Sequence, residues 1–186
     1  MKNLILFFLI TITTSAFSQN QDSCKATHWD DWFMPGAGYK SYIPKNSEFG
    51  IYNGFTTEFV IYARAKNKCS KFSGPARTKV YSSLSIMSSS NSVYKDIFFS
   101  NIGVNLSFEG KLERSFLIPY FGMEIGGLYQ RGFSSFHFTP LMGIQILSFK
   151  RVIWSAQAGY QYTTKFFDEY SGINAGSTIN ILLWEK

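Results

Sequence analysis

Val152-Ile153-Trp154-Ser155-Ala156-Gln157-Ala158-Gly159-Tyr160-Gln161-Tyr162-Thr163 carries no charge and alternates with a period of two. Its even positions are Val, Trp, Ala, Ala, Tyr and Tyr, while among its odd positions only Ile153 is apolar. A period of two is that of a β-strand, whose successive side chains point to opposite faces. The polar face is built of Ser, Gln, Gly and Thr, where a strand washed by water normally carries Lys, Glu or Arg. The segment therefore reads as a strand with an apolar face turned to something other than water.

The same pattern recurs on either side. In Phe98–Glu109 the even face is Phe98, Ser100, Ile102, Val104, Leu106 and Phe108, opposed by Phe99, Asn101, Gly103, Asn105, Ser107 and Glu109. Leu117–Tyr129 places Leu117, Phe121, Met123, Ile125 and Tyr129 on its odd face, and Phe136–Leu147 places Phe136, Phe138, Met142, Ile144 and Ile146 on its even face. Ile173–Leu183 follows with Ile173, Ala175, Ile179, Ile181 and Leu183. Charges gather between these stretches, at Lys79, Lys95-Asp96, Glu109, Arg131, Lys150-Arg151, Lys165 and Glu169. Only Glu58, in Phe49–Ala63, and Glu124, in Phe116–Gln130, break into them. Both fall on the polar face of their strand, so both are expected to point inward, with Lys40 and the interior Gln and Tyr side chains as available partners.

The composition agrees. Of 186 residues 45% are hydrophobic and 18% aromatic, yet only 16% are charged, against about 25% in soluble domains. A mean hydropathy of −0.05 does not fit several membrane helices. An all-β chain with small neutral polar residues on one face and apolar residues on the other has the pattern of a transmembrane barrel, whose strands run ~9–11 residues. Aromatics near the segment ends, among them Trp154, Tyr162 and Trp184, suit an interfacial girdle. The neutral face supplies a lumen network of Lys40, Glu58, Asn101, Asn105, Glu124, Gln145, Gln157 and Gln161.

At the start, Met1-Lys2-Asn3 precedes the apolar run Leu4–Ile10, and Ala16-Phe17-Ser18 presents small residues at peptidase positions. This predicts a secretory signal peptide over 1–18, a periplasmic N-terminal segment over 19–34 and a barrel over 35–186. Six strands are expected near 79–88, 97–109, 117–129, 135–147, 152–164 and 172–184. Two more lie upstream, either Gly36–Ile43 with Phe49–Arg64, or 43–52 with 55–64 if Asn53-Gly54 is a hairpin turn. Either way the count is eight, an up-and-down antiparallel transmembrane barrel.

In this pattern the chain resembles the small eight-stranded outer-membrane barrel proteins of Gram-negative bacteria. Pro119-Tyr120-Phe121-Gly122 and Thr139-Pro140-Leu141-Met142-Gly143 look like strand starts of such barrels. These families usually end on an aromatic residue, whereas here Trp184 is followed by Glu185 and Lys186. The resemblance implies an outer-membrane address, contact with outer-membrane lipid and lipopolysaccharide, a monomer, and a structural, adhesive or docking role toward an envelope protein. No cofactor, metal or nucleic acid is expected, and no catalytic residues are assigned.

Two alternatives compete with the membrane barrel, a soluble secreted carrier and an outer-membrane lipid A-modifying esterase. A soluble secreted β-barrel carrying a small apolar ligand would hold its apolar face inside. His137-Phe138-Thr139 resembles the His-x-Ser of outer-membrane lipid A deacylases, with Thr in place of Ser and no suitable downstream Glu; an interior or girdle histidine suits it better. Cys24 and Cys69, the only cysteines, both fall on the periplasmic side of the expected topology and are read as a disulfide. Arg64, Lys66, Lys68, Lys71, Arg77 and Lys79 form a basic group around the second connection, read as a solvated loop or a contact for phosphates.

Overall fold

A computed structural model describes residues 28–66, 77–91, 93–94, 96–107, 116–148 and 151–185. They form one closed antiparallel barrel. Its strands are β1 (His28–Pro44), β2 (Tyr52–Lys66), β3 (Arg77–Ser89), β4 (Ile97–Ser107), β5 (Phe116–Gln130), β6 (Phe133–Ser148), β7 (Val152–Thr163) and β8 (Gly172–Ile181). A two-residue β9 (Trp184–Glu185) continues β8, and a one-turn helix α1 (Phe167–Tyr170) lies between β7 and β8. Each strand pairs with the next, and β1 pairs with both β2 and β8, so the sheet has no free edge along the closed part. Closure removes the unpaired backbone that the edges of an open sheet would present.

The first hairpin resolves the two readings of its turn. Asn53 and Gly54 lie inside β2, and the chain reverses over residues 45–51, where Asn46 caps the short 3-10 turn Ser47–Phe49. Gly54 serves a close approach between strands: a Cβ there would stand 1.9 Å from the Ile86 carbonyl oxygen of β3. The His28–Trp32 string forms the start of β1, paired with Tyr62–Lys66, so strand pairing reaches seven residues upstream of the expected barrel start at 35. Residues 1–18, Cys24 and Cys69 lie outside the described residues.

The seam carries a bulge. β1 and β8 run in register from Pro44↔Gly172 to Gly36↔Asn180, and beyond it Phe33 pairs with Trp184, one residue out of step. The extra residue in the C-terminal strand brings Trp184 opposite the exposed Phe33.

Side chains alternate between lumen and outer wall, and the lumen is filled. Large inward residues lie over inward glycines on the neighbouring strand: Tyr81 over Gly103, Tyr120 over Gly143, Asn105 over Gly122. An eight-stranded barrel encloses just enough room for side chains, so a glycine beside each long residue is what lets the ring fit. The filling is layered. At the end bearing residues 45–51, 131–132 and 164–171, Tyr42, Phe49, Tyr52, Met87, Ile97, Phe99 and Leu128 form an apolar cap, with Tyr94, Phe133 and Tyr170 against it. At the terminal end Met34, Val60, Tyr81 and Ile153 form a second apolar cluster, backed by Leu182. Between the two the lumen is polar.

Candidate functional site: the sealed lumen and the outer wall

Glu124, on β5, is the centre of the polar layer. It is 2% exposed and ion-paired with Lys40 of β1, Nζ to Oε2 3.1 Å, with Lys40 itself 4% exposed. Tyr81 Oη donates to it at 2.8 Å, Gln157 Nε2 at 3.2 Å and Asn101 Nδ2 at 3.4 Å. Five strands thus meet at one carboxylate. Tyr120 extends the network by donating to Gln157 Oε1 at 3.1 Å, and Asn101 Oδ1 lies 2.9 Å from His137 Nε2. A buried carboxylate with a cation and three neutral donors is compensated in the way burial requires.

Glu58, on β2, is equally buried and pairs with Lys79 of β3. Lys79 also sits 4.8 Å from the centre of the Tyr81 ring. It therefore does not belong with the solvated basic group around the second connection: β3 begins at Arg77 and turns Lys79 into the lumen. Lys68 and Lys71 lie outside the described residues.

The remaining neutral residues make smaller groups. Gln145 donates to Ser107 at 3.2 Å, and Asn174 donates to Gln161 at 3.5 Å. Asn105 is buried over Gly122, and its amide has no hydrogen-bond partner among the described residues. Sequence reasoning did not single out Tyr81, Tyr120 or Lys79 for the lumen. Their facing follows from the strand period; interior tyrosines are expected as carboxylate partners without a position, and Lys79 stands at the expected edge of its strand, beside the basic connection.

His137 is fully buried on β6, its Nδ1 3.3 Å from Thr139 Oγ1 and its ring edge-on to Phe99 at 5.6 Å. It faces the lumen beneath the aromatic cap, away from the outer wall. Among the described residues no group of three or more His, Cys, Asp or Glu is placed to hold a metal ion.

The cap is clasped from above by residues 164–171. Tyr42 donates to the Tyr170 carbonyl, Tyr170 Oη donates to Gln130 at 2.8 Å, and the Tyr170 ring stacks on Phe133 at 4.6 Å. Burial, and then the Glu169 charge, hold the Tyr170 phenol above the ordinary tyrosine value. Lys45 pairs with Asp168 in the same clasp, and that hydrogen bond and charge raise its ammonium above the ordinary lysine value.

The outer wall is the reverse of the lumen. Phe55 is 78% exposed, Ile86 64% and Met142 62%, and Phe33, Ile102, Phe121, Ile125, Phe136, Ile173 and Ile179 are exposed beside them. Trp154 and Tyr162 stand on this face, and Trp154 Nε1 donates to Ser177 at 2.9 Å. A soluble carrier barrel would show the opposite distribution.

This architecture has a solved counterpart. The crystal structure of neisserial surface protein A superposes with a TM-score of 0.51 at 13% sequence identity, covering 82% of this chain and 96% of that one. The fold is that of a small outer-membrane barrel. No family model matches the sequence, and no curated protein sequence matches it.

Proposed function

We propose that this chain is an integral outer-membrane barrel, a non-enzymatic scaffold whose lumen is sealed and whose capped end serves adhesion or docking at the cell surface. The observation that carries this reading is the inverted wall: apolar side chains cover the outside of every strand while both carboxylates and both lysines of the polar layer are inside. Exposed apolar patches on soluble monomers rarely exceed a few hundred Å², and a continuous apolar belt around a closed barrel has one natural solvent, the lipid acyl chain. The apolar clusters at the two ends close the lumen and disfavour a diffusion pore. The surface-protein likeness supports the adhesive or docking role by analogy of fold alone.

In this reading the termini are periplasmic, and Lys45, Tyr94, Arg131 and Asp168 face outward. Expression in a Gram-negative host followed by carbonate extraction tests the membrane assignment. The protein is expected to stay with the membrane pellet and to migrate differently in gels before and after boiling. Release into the supernatant as a folded species contradicts the proposal.

A further inference from the structure

The outer wall is interrupted near the capped end between β4, β5 and β6. Ser100 of β4 and Gly127 of β5 are register partners in an outward row, and neither supplies a large side chain. The result is a groove of about 550 Å³ in the wall. Ile102 and Ile125 border it toward mid-barrel, Phe136 closes one side, and Tyr129 leans across Gly127, its Oη 2.5 Å from where a Cβ would stand. Ser100, Ser134 and Thr164 all line the groove, and Lys165 stands at its rim. The chain holds Lys165 there through two bonds, its own N–H to Ser135 Oγ at 3.1 Å and the Thr164 N–H to the Phe136 carbonyl at 2.9 Å.

An apolar trough leading up to hydroxyls and one ammonium is complementary to a lipid that carries an anionic phosphate above an acyl chain. We propose that this groove is a specific lipid site, taking an acyl chain between Ile102, Ile125 and Phe136 and a headgroup phosphate at Lys165. The occupant is the phosphorylated glycolipid of the outer leaflet, because in the orientation proposed above the capped end, and Lys165 with it, lies on that side. The inference rests on the membrane reading and goes beyond it: general lipid contact needs no groove, no hydroxyl cluster and no cation. Lysine suits the contact as a point charge for phosphate, and the hydroxyls can donate to the remaining phosphate oxygens.

The test uses the full mature barrel, purified from membranes, exchanged into detergent, and titrated with lipid A, phosphatidylglycerol or phosphatidylcholine under native mass spectrometry. One lipid A is expected to be retained per barrel, with phosphatidylcholine retained at least about tenfold less. Lys165→Glu and Ser100→Leu are each expected to weaken lipid A retention about tenfold or more, one at the phosphate and one by filling the trough. Ala158→Leu, on the wall away from the groove, and Arg151→Glu, at the opposite end, are expected to leave it unchanged. Equal retention in all four variants overturns the site. Lys165-dependent retention of phosphatidylglycerol in preference to lipid A overturns the choice of lipid. Failure of the membrane reading is separately visible, as a barrel that never sediments with membranes.

Discussion

Removing one member of the Lys40–Glu124 pair should cost far more than removing both. Glu124→Leu deletes the acceptor of four side-chain contacts and leaves Lys40 charged at 4% exposure, its ammonium over the Phe99 ring. Stranding one charge of a buried pair costs roughly 3–5 kcal/mol. Lys40→Met strands Glu124 instead, but Tyr81, Gln157 and Asn101 still donate to it, so its cost belongs near the lower end of that range, about 3 kcal/mol. In the double variant no charge remains, and the chief loss is the unpaired Tyr81 hydroxyl and two amides, roughly 1–3 kcal/mol. The single costs sum to about 6–8 kcal/mol against about 1–3 for the double variant, so the two substitutions are expected to couple by about 3 kcal/mol or more. Urea unfolding of the barrel in detergent or vesicles, followed by tryptophan fluorescence, measures all three variants. Ile125→Leu, the neighbouring residue on the outer wall, is the control and should cost less than about 1 kcal/mol. Additive single costs, within about 0.5 kcal/mol, would refute the claim that the pair is buried and mutually compensated.

Three further outcomes follow from other parts of the barrel. Gly143→Ala places a Cβ 2.4 Å from the Tyr120 ring and 2.5 Å from the Ala156 carbonyl; it should destabilise by about 1–3 kcal/mol, whereas Ala158→Leu on the outer wall should stay within about 0.5 kcal/mol in the same unfolding assay. Planar bilayers containing the protein should show no stepwise ionic current, since an apolar cluster blocks each end of the lumen; reproducible open-channel steps would contradict the sealed lumen. The Lys45–Asp168 contact raises the lysine pKa, so its contribution is present below the ordinary lysine value and lost as pH rises through the raised one. A spin label at Glu169 should keep constant mobility between about pH 6 and 9 and loosen only above about 10.4, while Asp168→Asn should loosen it already at neutral pH.

The fold was legible because the barrel inverts a strand's usual amphipathicity. From β4 onward the charge-free alternating stretches coincide with strands to within a few residues, and the facing read for Val152–Thr163 is the facing observed. The first hairpin was harder for a physical reason. Asn-Gly favours a two-residue turn, but tertiary context overrides it here, where Gly54 is needed for backbone approach to β3. The start of β1 was obscured by Asp30, Asp31 and Pro35, which break the alternation. In the lumen the period gave the facing of Glu58 and Glu124, yet their partners depend on barrel tilt and register. Lys79 meets Glu58, and Tyr81 meets Glu124, only once β3 is set beside β2 and the barrel is closed. The groove at Gly127 was invisible for the same reason, since it arises from the juxtaposition of Ser100, Gly127 and Phe136 across three strands.

If the barrel spans the membrane as proposed, the odd face of β5 meets lipid and its even face meets the filled lumen. Single nitroxide labels placed in turn along Leu117–Tyr129, with Cys24 and Cys69 replaced by Ser, test it in reconstituted vesicles by accessibility to oxygen and to a water-soluble nickel complex. At Phe121, Met123 and Ile125 the labels should be reached by oxygen and shielded from nickel, while those at the intervening positions should be shielded from both. Nickel-accessible labels at Met123 and Ile125 would place that face in water, and the membrane-spanning account would be wrong.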